Sequence, residues 1–212
     1  MREGIKPPKF ADKFYRIDFD TNPMPVLSLY PFPKPLDLDA LRLEVCDLGC
    51  KPRAIAWSDC KDVPRVRMQM PLICSIFNWV EVVEWEGVRL GDFLDYVGLA
   101  APGEGYLAFY SRDGHYFESL PAYMARDPLV LLATGLNGQP LPREHGGPLR
   151  LVVPFLQGYK SVKWLGGIRA FRHDPAGIKR LLGQSKTGLL GRAWQERYGI
   201  EEPEGGEDGH LV

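Results

Sequence analysis

Two stretches of this sequence carry residue types that could do chemistry. The first is Pro71-Leu-Ile-Cys-Ser-Ile-Phe-Asn-Trp79, where an apolar run gives way to polar residues at Cys74. A side chain there stands where an element ends. Its thiol reads two ways: as a small core hydrophobe, because free cysteine is among the most buried residue types, or as a thiolate that attacks an electrophile or ligates a soft metal. The second stretch is His145-Gly-Gly-Pro-Leu-Arg150, continuing as Leu151-Val-Val-Pro-Phe-Leu-Gln-Gly-Tyr-Lys-Ser-Val-Lys-Trp164. A Gly-Gly-Pro turn feeds a strand, and a glycine-containing loop then presents Lys160, Ser161 and Lys163. Arg150, Lys163, a hydroxyl and backbone N–H groups are the donors that a phosphate-bearing anion requires. The same residues also suit an ordinary solvated loop. His145 fits either a structural hydrogen bond or a ligand contact.

Other chemistries find no support. The sequence has no Gly-x-Ser-x-Gly elbow, no Walker-type loop and no His-Glu-x-x-His, and its carboxylates are scattered. Cys46, Cys50, Cys60 and Cys74 lack the paired spacing of a zinc site and read as reduced thiols, three of them ordinary. The 212 residues carry 26 Lys+Arg against 27 Asp+Glu, a formal charge of −1, so no basic excess suggests nucleic acid as a partner. No apolar run is long enough for a transmembrane helix. Residues 1–13 are charged and proline-bearing rather than signal-like, which predicts a cytoplasmic protein, or a periplasmic one if an export leader has been removed.

The elements that must position these groups follow from periodicity. Proline-rich residues 1–37 predict an extended arm, residues 38–200 the main domain, and residues 201–212 an acidic flexible tail. Alternation predicts strands over 41–45 and 65–70, and the Asp113-Gly114 hairpin signal joins two more over 106–111 and 115–120. Further strands are expected over 129–134, 149–153 and 167–173, with a turn at Asn137-Gly138. Leu90, Phe93, Leu94 and Val97 share one helical face, which predicts a helix over 88–97. Shorter helices are expected over 175–182 and 189–198. Many strands and few helices give an α+β class built mainly on sheet.

In order and spacing, Cys74, Trp85-Glu-Gly-Val-Arg-Leu90, Phe93-Leu-Asp-Tyr-Val-Gly98, Leu136-Asn-Gly-Gln-Pro-Leu-Pro142, the 145–150 block and Gly158-Tyr-Lys-Ser-Val-Lys-Trp-Leu165 resemble the molybdopterin-binding domain of the sulfite oxidase superfamily. The resemblance runs from about Phe14 to His173. It implies a mostly β, mixed-sheet fold around one molybdenum–molybdopterin cofactor (Mo-MPT). Cys74 takes the place of the cysteine that ligates molybdenum, where a soft sulfur joins the two dithiolene sulfurs of the pterin. Arg150, Ser161, the Val162 backbone and Lys163 take the places that hold the pterin and its phosphate, and His145 contacts the pterin. Ser111 matches a Thr/Ser near the cofactor. Phe14-Tyr15-Arg16 resembles a Phe-Tyr-Glu segment that wraps the pterin, with Arg16 departing from the Glu.

The resemblance also implies a reaction: two-electron oxygen-atom transfer on a small molecule, with electrons exchanged with a separate protein such as a cytochrome or membrane haem subunit. No arginine follows Cys74 within a few residues, and a doubly charged oxyanion in a low-dielectric pocket needs cationic partners. Asn78-Trp79 resembles instead the bacterial branch that reduces methionine sulfoxide, which favours a sulfoxide- or N-oxide-type substrate over sulfite. The alternatives are a cofactor-binding or carrier domain without turnover, a sulfite-oxidising enzyme, and an interaction module with Cys74 in its core.

Overall fold

The computed structural model describes residues 16–74, 77–100, 103–181, 183–192 and 195–196. The expected contact at Tyr15, the acidic tail and part of the 189–198 helix lie outside these residues. Along the chain, β1 (Arg16–Asp18) and β2 (Val26–Ser28) form a two-stranded antiparallel sheet within the proline-rich segment. Next come β3 (Arg42–Cys46), β4 (Arg53–Ala56), and the long hairpin of β5 (Arg65–Cys74) with β6 (Trp79–Arg89). Helix α1 (Leu90–Tyr96) follows β6 directly. After it come β7 (Tyr106–Ser111), β8 (Phe117–Pro121), the single turn α2 (Ala122–Ala125), β9 (Leu131–Leu136), β10 (Gln139–Pro140), β11 (Arg150–Val152), β12 (Leu165–Phe171) and α3 (Ile178–Leu181).

The strands make two larger sheets. One runs β4-β3-β12-β7-β8, with β12 parallel to β3 and antiparallel to β7. The other runs β10-β9-β6-β5, with β11 also on β9. The continuous apolar run of β9 reflects burial on both faces. Leu132 belongs to a large core with Leu43, Phe93, Leu107, Val153 and Ile168, whereas Leu131 and Ala133 point into a second core with Met24, Leu72, Trp79, Trp85 and Val152. Burial of this apolar surface is the main stabilising term. Met24 and Val26, which flank the start of β2, are almost wholly inaccessible, so the proline-rich segment is packed against the domain.

The architecture is α+β and mostly β, as expected. The predicted strand over 65–70 extends to Cys74, which closes β5. The predicted helix over 88–97 begins two residues late, because Val88 and Arg89 still pair with β9. The predicted 175–182 helix shortens to α3, and Leu189, placed in a helix by periodicity, bridges Leu156 instead. No disulfide joins the four cysteines, and Cys60 is a core residue. Among the described residues no helix is long and apolar enough to cross a membrane.

Candidate active site

The end of β5 and the 145–164 block meet at one cavity of about 130 Å³. Ile73 makes a parallel bridge to Gln157, so the residue before Cys74 is tied to the loop. Gly158 is needed at this crossing: a Cβ there would stand 2.8 Å from the Ile73 carbonyl oxygen. Cys74, His145, Arg150, Ser161 and Lys163 all line the cavity. The structure thus brings together five of the residues singled out from sequence.

Each is fixed by the local chain. The N–H of Val153 donates to Ser161 Oγ at 3.0 Å, which folds the loop back onto the strand that precedes it. Arg150 is 1% exposed, its guanidinium 5.1 Å over the Trp85 ring. It donates to the carbonyls of His145 (2.8 Å), Ser161 (3.0 Å) and Leu151 (3.3 Å). Lys163 Nζ donates to the carbonyls of Leu27 (3.1 Å) and Glu144 (2.9 Å). Both cations are therefore met by neutral oxygens, and among the described residues neither makes an ion pair. His145 Nε2 is buried without a hydrogen-bond partner, as is Trp79 Nε1 on the same cavity.

The electrostatic consequence is a site poor in negative charge. Burial lowers the Arg150 guanidinium to about 9. Lys163 falls to about 7, through burial first and the Arg150 charge second, with Glu144 opposing. His145 falls to about 3 through burial, then Lys163 and Arg150, so its imidazole is neutral near pH 7. Desolvated cations bonded to carbonyls, beside an unsatisfied ring nitrogen, suit an anionic and hydrogen-bonding ligand. A thiol on the same cavity suits a soft metal. On these observations the residues fit a phosphate-bearing pterin that carries molybdenum.

The remaining predicted residues lie elsewhere. Ser111 is buried outside the cavity lining; its hydroxyl donates to Asp113 and accepts the Tyr116 N–H at 3.1 Å. Tyr116 does line the cavity, and its hydroxyl donates to the Tyr159 carbonyl at 2.8 Å. Val162 packs its side chain into the large core, and its N–H donates to the Lys160 carbonyl at 3.1 Å. Arg16 is exposed, paired with Asp18 at 3.1 Å and 5.6 Å over the Phe32 ring.

Sequence reasoning missed several lining groups. Met24 to Tyr30 cover one wall, and Arg143 holds the following residues by donating to the Phe32 and Pro33 carbonyls. Their signal was compositional only: a proline-rich stretch with interleaved apolar residues. Tyr159 and Lys179 also line the cavity. Lys160, between two residues of interest, points away from it to a buried ion pair with Glu118 at 3.0 Å.

The chain is matched over residues 30–179 by the model of the oxidoreductase molybdopterin-binding domain. It is 31% identical over 178 residues to the uncharacterized oxidoreductase YuiH of Bacillus subtilis, covering 84% of this chain and 87% of that protein. It is 32% identical over 179 residues to human mitochondrial sulfite oxidase, covering 72% of this chain but only 32% of that protein. The catalytic subunit MsrP of the protein-methionine-sulfoxide reductase of Xanthomonas campestris is 40% identical over 111 residues, which is 46% of this chain and 34% of that one. In fold, the chain is similar to the sulfane dehydrogenase SoxCD of Paracoccus pantotrophus, with a TM-score of 0.62, 24% identity, and coverage of 73% of this chain and 43% of that one. With the family model spanning well over half its length, this chain belongs to the oxidoreductase molybdopterin-binding domain family.

Proposed function

We propose that the cavity binds Mo-MPT and that the protein catalyses two-electron oxygen-atom transfer on a small molecule. The observation that carries this reading is one cavity lined by a thiol, by the buried Arg150 and by the half-buried Lys163, whose hydrogen bonds among the described residues go to neutral carbonyls. When bound, the group supplies the redox centre at which an oxygen atom is gained or lost. Cys74 is the protein's ligand to the metal. Lys163 and Arg150 provide charge for the phosphate, Ser161 its hydroxyl proton, and the Val162 segment the backbone frame. His145 Nε2 hydrogen-bonds the pterin, which relieves its burial cost. Ser111 acts through Tyr116, whose N–H it holds. Arg16, whose guanidinium lies 5.6 Å over the Phe32 ring, and Tyr15, the residue before it in sequence, are the further candidates for a pterin contact.

The substrate class is a small sulfoxide, N-oxide or sulfur oxyanion, bracketed by relatives named for sulfite oxidation and methionine sulfoxide reduction. Electrons pass to or from a separate redox protein. The test is molybdenum and pterin analysis of protein made in a host that synthesises the cofactor, with Cys74→Ser beside it and turnover followed with an artificial electron donor and a sulfoxide. Near-stoichiometric molybdenum, and turnover lost in the variant, are expected. Folded wild-type protein without molybdenum or pterin would overturn the reading; full loading without turnover would favour a carrier.

A further inference from the structure

Lys160 and Arg150 are both 1% exposed, and the fold balances them in different ways. Lys160 meets a carboxylate. Glu118 Oε2 accepts its Nζ at 3.0 Å, and Oε1 accepts the Lys179 N–H at 2.9 Å, which ties α3 to the same pair. Arg150 meets three carbonyls and an aromatic face. Its guanidinium carbon lies 5.1 Å from the centroid of the Trp85 ring. Trp85 is not part of the cavity lining, whereas Arg150 is.

The sheet makes this meeting possible. Strand β9 lies between β6 and β11, and Gly87, Ala133 and Arg150 stand in one row across the three. Gly87 has no side chain and Ala133 only a methyl, so nothing in that row keeps the Arg150 and Trp85 side chains apart. A Cβ at Gly87 would stand 2.1 Å from the Leu132 carbonyl oxygen, so the close approach of β6 to β9 requires glycine there. Trp85 precedes Gly87 by two residues and shares its apolar core with Ala133.

Its own N–H does not explain an indole at this place. Trp85 is wholly inaccessible, and its Nε1 has no hydrogen-bond partner among the described residues. A buried donor left unmade is unfavourable, and phenylalanine or methionine would avoid it. What tryptophan offers instead is the aromatic face that attracts a cation most strongly, an attraction that grows when both groups are desolvated. We propose that Trp85 is a positioning residue for the cofactor, whose ring orients the Arg150 guanidinium and balances its charge without a carboxylate. This deepens the functional reading above and rests on it. A carboxylate at the same place would compete with a phosphate for the guanidinium. An aromatic face stabilises the charge and leaves it open to an incoming anion.

The test is a double-mutant cycle in the affinity of cofactor-free protein for the molybdenum–pterin cofactor, read at equal folded fraction. Trp85→Met, Trp85→Phe, Arg150→Met and the two double variants are compared with wild type. Trp85→Met is expected to weaken binding about tenfold and Trp85→Phe about threefold, and neither weakens it further once Arg150→Met is present. Trp85→Phe keeps an aromatic ring in the core and decides the matter if Trp85→Met does not fold. Wild-type affinity in Trp85→Phe and in any folded Trp85→Met would overturn this inference and leave the functional reading intact. So would the same loss with Arg150→Met as without it, which is the pattern of a purely structural residue. Wild-type protein that binds no cofactor would overturn the functional reading and this inference with it.

Discussion

Lys160 and Lys163 stand three residues apart in one motif, the first buried and the second half-buried, and their surroundings are opposite. Lys160 is 1% exposed and meets the carboxylate of Glu118, itself 2% exposed. Lys163 meets two carbonyl oxygens and has Arg150 as an electrostatic neighbour. The first charge is neutralised within the fold. The second is stabilised by two carbonyl dipoles and a lesser pull from Glu144, and burial drags it toward neutrality. A buried cation with a carboxylate is part of the scaffold; a buried cation without one is suited to an anion from outside. On the proposed reading, Lys160 holds the loop and Lys163 serves the phosphate.

The sharpest way to break this contrast is Glu118→Ala. It strands Lys160 and unties the backbone of α3, so denaturant unfolding should show a loss of about 3–5 kcal/mol. A loss under about 1 kcal/mol would mean that Lys160 is no more scaffold than Lys163.

The pH dependence of the cofactor-free chain sharpens the other side. Lys163 keeps its proton up to about 7 when folded and to 10.5 in the ordinary case. Between those values the unfolded chain binds more protons, so stability rises with pH over that window; below about 7 the burial cost is present in full. His145 acts in the same direction between about 3 and 6.5, because its folded form stays neutral where the unfolded imidazole is charged. Melting curves from pH 7 to 10 should show the gain, and Lys163→Met should flatten it. An unchanged slope in that variant would remove Lys163 as its source.

Gly158→Ala tests the crossing that brings Cys74 to the loop. The added methyl must displace the Ile73 carbonyl or the loop, at a cost of about 1–3 kcal/mol together with lower cofactor occupancy. Wild-type stability and occupancy would show that the crossing is loose. The smallest effect is expected from Ser111→Ala, about 1 kcal/mol from its two local bonds. Its cofactor occupancy should stay close to wild type, since Ser111 touches Tyr116 and not the cavity; a large loss of cofactor would give the hydroxyl a direct contact.

Much of the frame was legible. Alternation located β3 and β5, the Asp113-Gly114 hairpin signal located β7, the continuous apolar run located β9, and one helical face located α1. The β6 strand went unread because its alternation is imperfect: Trp79, Val83 and Trp85 are buried on one core, then Gly87 breaks the register against β9 and Val88 turns to the other. The helical periodicity that starts at Val88 therefore claimed two residues of strand. At the site, Cys74 and the cation-rich loop were legible because local motifs hold them. Lys179 was not, because its position is set by a hydrogen bond to Glu118, 61 residues away. Likewise, nothing local distinguishes Lys160 from Lys163; the difference lies in which neighbour each meets after the sheets have formed.

The most direct test of the contrast is the affinity of cofactor-free protein for the molybdenum–pterin cofactor in wild type and Lys163→Met, at equal folded fraction. The account predicts that the variant folds at least as stably and binds the cofactor about tenfold or more weakly, through loss of a charge-assisted bond to the phosphate. Equal affinity in the two proteins would contradict it.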